Sequence, residues 1–239
     1  MDVVALDAGS VVARAGDELE FAYFPTTALL STRCLLGNGA TSEIASIGPE
    51  GMLGIELLLG DNTLSYDVVV QTSGQAFRLR SCWLKQESHR RGPMLQILLR
   101  YTQDLMLKMS QAAICGCHHT TEQRLCRWLL TVTDHSHVND VTITQEAMAM
   151  VVGVRREAIT DIARTLRHRK IIDYWRGHIR ILDRPGMEAR SCECYQILRH
   201  DLERAVGETG RRTPRLGAPA LTQLVRQRPS IPDKIFRPI

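Results

Sequence analysis

Residues 142–182, TITQEAMAMVVGVRREAITDIARTLRHRKIIDYWRGHIRIL, constrain the fold of this chain more than any other stretch. They read as a helix, a tight turn, a second helix and two short strands. Thr144 is placed to cap the first helix. The capping box is incomplete, because Glu146 falls one residue early and Ala147 holds the third helical position. Ala147, Met148, Val151 and Val152 give that helix one apolar side. Gly153 stands where the helix must stop and the chain must bend, and glycine takes positive φ there without a steric cost. The second helix starts near Arg155. Ala158, Ile159, Ile162, Ala163 and Leu166 recur at three- and four-residue spacing, which predicts one buried stripe. The opposite side carries Arg155, Arg156, Glu157, Thr160, Asp161, Arg164 and Arg167. Arg176-Gly177, between IIDYW and HIRIL, signals a hairpin.

A helix pair followed by a hairpin is the pattern of a winged helix-turn-helix, whose second helix enters the major groove of DNA and meets base edges with its N-terminal residues. Arginine donates two hydrogen bonds to guanine and glutamate accepts one from cytosine, so Arg156 and Glu157 are the predicted reading pair. Residues 155–180 hold eight Arg or Lys against three Asp or Glu, a basic footprint for phosphates. A solvated charged helix face is the bland alternative. The bend before the face and the hairpin after it weigh against that. His168, Arg169 and Lys170 close the second helix, where positive charge suits the dipole. In the wing, Arg176, His178 and Arg180 are candidates for backbone contacts, which position a protein without reading sequence.

VVGVRREAITDIARTL is similar to the recognition element of the Crp–Fnr family of bacterial transcription regulators, whose core runs roughly G-x-S-R-E-T-x-x-R. Gly153, Arg156 and Glu157 match it. Arg155 stands for the usual Ser, Ala158 for Thr, and Asp161 for a second Arg that helps to read bases or phosphates. A carboxylate repels phosphate, so the resemblance implies DNA binding but not the usual operator. The front of the chain follows the family's order as well: A-G-D at 15–17, Y-F-P at 23–25 and G-P-E-G-M-L-G at 48–54. The resemblance implies a sensor jelly roll that in some members binds a cyclic nucleotide, with a Glu on the ribose and an Arg on the phosphate. Here Ile55 follows Gly54, Glu56 comes one position late, and Leu64-Ser65-Tyr66 stands where Arg-Ser belongs. No Arg or Lys lies between Arg33 and Arg78, so a phosphate would lack its charge partner. Cyclic-nucleotide binding is therefore not expected, and neither is any cofactor.

Residues 1–90 read as short strands separated by Gly, Pro, Asn and Asp, with Asn38-Gly39 as a hairpin turn, Gly48 to Gly51 as another, and MLGIELLLGD as a short helical interruption. This part is acidic, with six Arg or Lys against eleven Asp or Glu. The rest is basic, so that the whole chain reaches +4. That asymmetry argues for two domains with different partners. Seven cysteines without an export signal read as reduced thiols in a cytoplasm. No apolar run of about 18 residues predicts a membrane span.

Pro93 opens a long helix running to about residue 117. Leu95, Leu98, Thr102, Leu105, Met109 and Ala112 alternate three and four apart, as in a coiled-coil seam. Packing of this helix on its own domain fits the pattern equally. The resemblance favours pairing in a homodimer, which would carry two recognition helices to major-groove faces about 34 Å apart. Cys115, Cys117, His118 and His119 follow. Thiolates and imidazoles suit zinc or iron. The spacing is C-x-C, and the second C-x-C, Cys192 and Cys194, is far away in sequence. A hinge with small residues is therefore the favoured reading, and no metal ligand is assigned.

Residue 120 onward reads as a helix with Leu125, Trp128, Leu129 and Val132 inward and Cys126 packed beside them. His135 and His137 belong to a loop and are read as solvated. Residues 187–206 read as one more helix, and those beyond as a flexible basic tail.

The expectation is an α+β, two-domain chain. An N-terminal antiparallel β jelly roll (double-stranded β-helix) occupies 1–90, a long dimerisation helix 91–118, a winged helix-turn-helix 119–205, and a tail 206–239. It would bind a palindromic site on double-stranded DNA as a homodimer, without gating by cyclic AMP, with RNA polymerase a candidate further partner. An effector-gated regulator is the nearer alternative. A metal- or thiol-dependent enzyme is the further one, since no P-loop, dinucleotide fingerprint or Ser-His-Asp order appears in the front half.

Overall fold

The computed structural model describes residues 1–199, apart from 38, 61, 137 and 138. The tail at 206–239, the last part of the expected winged domain, Asn38 and His137 thus lie outside the described residues.

The elements run β1 (Asp2–Leu6), β2 (Val11–Ala13), β3 (Phe21–Pro25), β4 (Leu29–Leu35), β5 (Thr41–Ile47), α1 (Glu56–Leu59), β6 (Asp67–Thr72), β7 (Gly74–Arg80), α2 (Ser81–His89) and α3 (Pro93–His118). Then come α4 (Thr121–Ser136), β8 (Asp140–Thr142), α5 (Gln145–Val152), α6 (Arg156–His168), β9 (Ile172–Trp175), β10 (His178–Ile181) and α7 (Arg184–Glu188).

The front strands form two antiparallel sheets, ordered β1-β7-β3 and β2-β6-β4-β5. Phe24, Leu30, Met52, Leu53, Leu64, Val68 and Val70 fill the space between them. The single run DVVVQTSGQAFRLR supplies both β6 and β7, and the chain passes from one sheet to the other at Ser73. A Cβ on Gly74 would lie 2.3 Å from the Ala28 nitrogen, so only glycine fits that crossing. The expected turn between β4 and β5 closes through the Leu36 N–H and the Ala40 carbonyl at 2.8 Å, with Gly39 at φ 81. The front part is not all strand, however. Residues 81–89 form α2, which buries only Leu84 and so leaves no apolar stripe to read in the sequence.

Helix α3 has 26 residues, with Pro93 in its first turn. At about 1.5 Å per residue it is roughly 39 Å long. The expected seam needs correction. Leu98 and Leu105 pack into the sensor core with Met94, Ile97 and Tyr101. The line left open is rotated by about one position and holds the exposed Leu99, Met106, Met109 and Ala113, with Leu95 and Thr102 half-buried beside it. A three-four alternation alone does not say which of two adjacent stripes packs at home.

Helix α4 opens with a capping box: Gln123 N–H donates to the Thr120 hydroxyl (3.3 Å) and Thr120 N–H to the Gln123 side-chain carbonyl (2.9 Å). Leu125, Cys126, Trp128, Leu129 and Val132 are buried as expected. His135 is not a solvated loop residue. It lies within α4, its side chain is 9% exposed, and it sits 3.1 Å from Glu50, which also pairs with Lys108 at 2.8 Å. Glu50 thereby ties the sensor to α3 and α4. The Trp128 indole donates to Glu43 on β5 at 3.0 Å, and Leu29 of β4 enters the rear core.

Strand β8, unread in the sequence, completes a three-stranded sheet ordered β8-β10-β9. The single helix expected after the wing is broken instead. Asp183 caps the five-residue α7, a turn follows, and residues 194–199 are helical again. No helix among the described residues is long and apolar enough to cross a membrane.

Candidate nucleic-acid interface

Helix α5 starts where Thr144 accepts from the Ala147 N–H at 3.1 Å. It ends at Gly153, φ 73 and ψ 43, whose N–H donates to the Ala149 carbonyl at 2.8 Å. A side chain there would be strained by the left-handed backbone, and its Cβ would meet the Ser42 hydroxyl at 3.1 Å. Arg124 of α4 donates to the Val152 carbonyl, one of the acceptors a helix end leaves open. Met148, Ala149, Val151 and Val152 of α5 pack with Ile159, Ala163 and Leu166 of α6, which fixes the angle between the helices.

The face that remains is polar. Arg155 is the N-cap of α6, and Arg156 and Glu157 form its first turn. All three are exposed, and no ion pair joins their side chains to another described residue. The other expected site residues of α6 are engaged within the protein. The Thr160 hydroxyl donates to the Gln145 side-chain carbonyl at 2.8 Å and so stitches α6 to α5. Asp161 pairs with Arg164 at 3.2 Å, and Arg167 with Asp173 at 3.2 Å. Asp161 thus has a use beyond repelling phosphate, since it holds the neighbouring guanidinium. The signal was its i,i+3 spacing from Arg164.

The wing turns at Arg176 (φ 43) and Gly177 (φ 83), two consecutive positive-φ residues as in a type I′ hairpin turn. Arg176 projects at the tip. The exposed His178 ring stacks on Trp175 at 6.0 Å. Arg180 lies over the Trp175 ring at 5.3 Å and grips both oxygens of Asp140 at 2.7 and 3.1 Å. That pairing depends on β8.

Comparison with protein families matches two descriptions. Residues 3–85 fit a cyclic nucleotide-binding domain and residues 123–190 a Crp-like helix-turn-helix domain. The chain belongs to the Crp–Fnr family of transcription regulators. Solved structures share the two-domain fold. A CRP-family transcriptional regulator from Thermus thermophilus superposes with a TM-score of 0.67 at 18% identity, covering 80% of this chain and 96% of that one. FixK2 from Bradyrhizobium japonicum gives 0.68 at 12%, over 80% and 97%. The c-di-GMP responsive global regulator CLP from Xanthomonas campestris gives 0.63 at 13%, over 76% and 94%. Comparison with curated protein sequences gives no match.

In this Crp–Fnr member, Leu64 and Tyr66 pack toward the sensor core, whereas Ser65 between them is exposed. Leu64 is 2% exposed. The Tyr66 hydroxyl donates to Glu56, and burial followed by that carboxylate pushes the hydroxyl well above its ordinary range, so it stays a donor. Arg33 is committed to Ser31 (3.0 Å) and Gln71 (3.0 Å).

The cysteines regroup. Cys117 and His118 are exposed on α3, whereas Cys115 and His119 meet Cys192 and Cys194. The second C-x-C, remote in sequence, is thus a neighbour in space.

Proposed function

We propose that this chain is a homodimeric, sequence-specific DNA-binding regulator that works in the cytoplasm on a palindromic site. Residues 1–90 act as the sensor roll, 91–118 as the pairing and linking helix, and 119–205 as the DNA-binding domain. Helix α6 enters the major groove, where Arg156 and Glu157 read base edges and Arg155 joins them. Arg164, Arg167, Arg176 and His178 meet phosphates or lie beside them, the first two by exchanging a carboxylate partner for the backbone. Thr160 and Asp161 shape the face from within.

One observation carries this reading: the exposed Arg155-Arg156-Glu157 at the start of α6, with no ion pair to any described residue, immediately after the left-handed Gly153 turn. The open line of Leu99, Met106 and Ala113 on α3 supports pairing of two copies. The inward Leu64, the Tyr66–Glu56 bond and the committed Arg33 support DNA binding without cyclic AMP.

Selection of bound duplexes from random DNA tests the proposal, with and without cyclic AMP. A palindromic site enriched in both arms is the expected result. Enrichment only with the nucleotide would overturn effector independence, and no enrichment in either arm would overturn sequence-specific binding.

A further inference from the structure

Cys115 and His119 are four residues apart at the end of α3, so they lie on one helix face. Cys192 and Cys194 come back to that face from the segment after α7. The Cys115 and Cys192 sulfurs are 3.5 Å apart, as are Cys194 Sγ and His119 Nδ1. All four donor atoms lie within 4.8 Å of one another. The three cysteines are 1%, 2% and 0% exposed, and the His119 side chain 10%.

We propose that Cys115, His119, Cys192 and Cys194 bind one zinc ion in a tetrahedral site. Thiolate and imidazole are the donors zinc prefers. With metal–sulfur bonds of about 2.3 Å a tetrahedron has edges of about 3.8 Å, close to the two 3.5 Å separations. Donors this close bracket a single ion and leave no room between them for a cluster of several irons and sulfides.

The surroundings point the same way. His119 turns Nδ1 toward the sulfurs while its Nε2 stands 3.1 Å from the Glu193 carboxylate, the outer partner that orients a metal-bound imidazole. The Gln111 amide donates to Cys194 Sγ at 3.0 Å, as amides do to metal thiolates. Simple apolar packing asks for neither contact. The segment that brings the second pair is itself anchored. Tyr195 is 1% exposed, and its hydroxyl donates to Asp134 and accepts from Arg184, each at 2.8 Å. Cys117, exposed and outside the group, takes no part. An ion here clamps the end of α3, just before the joint with α4, to the far end of the DNA-binding domain.

The test is metal analysis of the full chain, untagged and purified under reducing conditions from zinc-supplemented cells. About one zinc per chain is expected after gel filtration. Cobalt exchanged into the site should give the strong visible bands of a tetrahedral ion and a sulfur-to-cobalt charge-transfer band. Cys194→Ser should lower zinc affinity at least about tenfold, while Cys117→Ser leaves one per chain. Glu193→Gln removes no ligand, so it guards against simple misfolding; it should weaken zinc about 10-fold with unchanged circular dichroism. A reduced chain that takes up no zinc on reconstitution would overturn the proposal. So would a Cys115–Cys192 disulfide in freshly alkylated protein, or iron with a cluster's absorption.

Discussion

The recognition face and the cysteine–histidine group are built from opposite ends of sequence locality. Arg155, Arg156 and Glu157 are consecutive, whereas Cys115 and Cys192 are 77 residues apart. The first faces outward with its charges unpaired among the described residues, and the second faces inward with each donor atom directed at another. The difference shows where each site's energy is to be found. A reading face holds its hydrogen-bonding capacity in reserve for a partner, so it contributes little to folding. A closed donor group acts on the chain itself, and altering it should change stability first.

The comparison sharpens most if zinc is withdrawn. With free zinc about 1,000-fold above its dissociation constant, binding stabilises the fold by about 4 kcal/mol. Chelation should then lower the calorimetric Tm by about 8–16 °C, at 2–4 °C per kcal/mol for a chain of this size. An unchanged Tm would remove the clamp from the inner site. Glu50→Ala tests a second inward group, because it strands Lys108 and His135 and should cost about 3 kcal/mol in thermal or urea unfolding.

That group also has a pH signature. Burial opposes charge on His135, but the facing Glu50 carboxylate outweighs it and raises the imidazole above its ordinary 6.5. Stability from a raised pKa is fully present below 6.5 and is lost as pH rises through the folded value. For Glu50, burial is likewise outweighed, by Lys108 and His135, which hold the carboxyl well below its usual 4.5. Its contribution is present above 4.5 and fades as pH falls. Scanning Tm from about pH 6 upward should therefore show a decline in the native chain that is shallower in His135→Gln.

The outward face should behave differently. Arg156→Ala should lose about 1–3 kcal/mol of discrimination at one base pair, read by competition between operator variants, with Tm unmoved. A large drop in Tm would mean that the face is not held in reserve. Gly153→Ala bridges the two regions. The left-handed backbone and the nearby Ser42 hydroxyl should cost about 1 kcal/mol of stability and weaken DNA binding together. The smallest effect is expected from Arg164→Ala. It should weaken all duplexes alike and reduce the salt slope by about one, or by less where Asp161 retains part of the charge.

Helix periodicity made α5 and α6 legible because burial there repeats every three or four residues. The Thr144 cap and the Gly153 bend were legible because each acts within one turn of itself. Helix α2 was not, since its one buried residue, Leu84, makes no pattern. On α3, Leu98 and Leu105 belong to a stripe that any amphipathic helix could turn either way, and the sensor core claimed them. His135 looked solvated because its partner, Glu50, lies 85 residues back.

The sequence by itself determined the helix pair, its cap and bend, the wing's two-residue turn and the charged face of α6. Each follows from backbone sterics, side-chain direction and hydrogen bonds within a few residues. Only the tertiary structure decided which side of α3 stays open, that Thr160 and Arg180 already have partners, and that Cys115, His119, Cys192 and Cys194 converge. Those outcomes depend on packing between elements far apart in the chain, and no local pattern of residues encodes a distance across the fold.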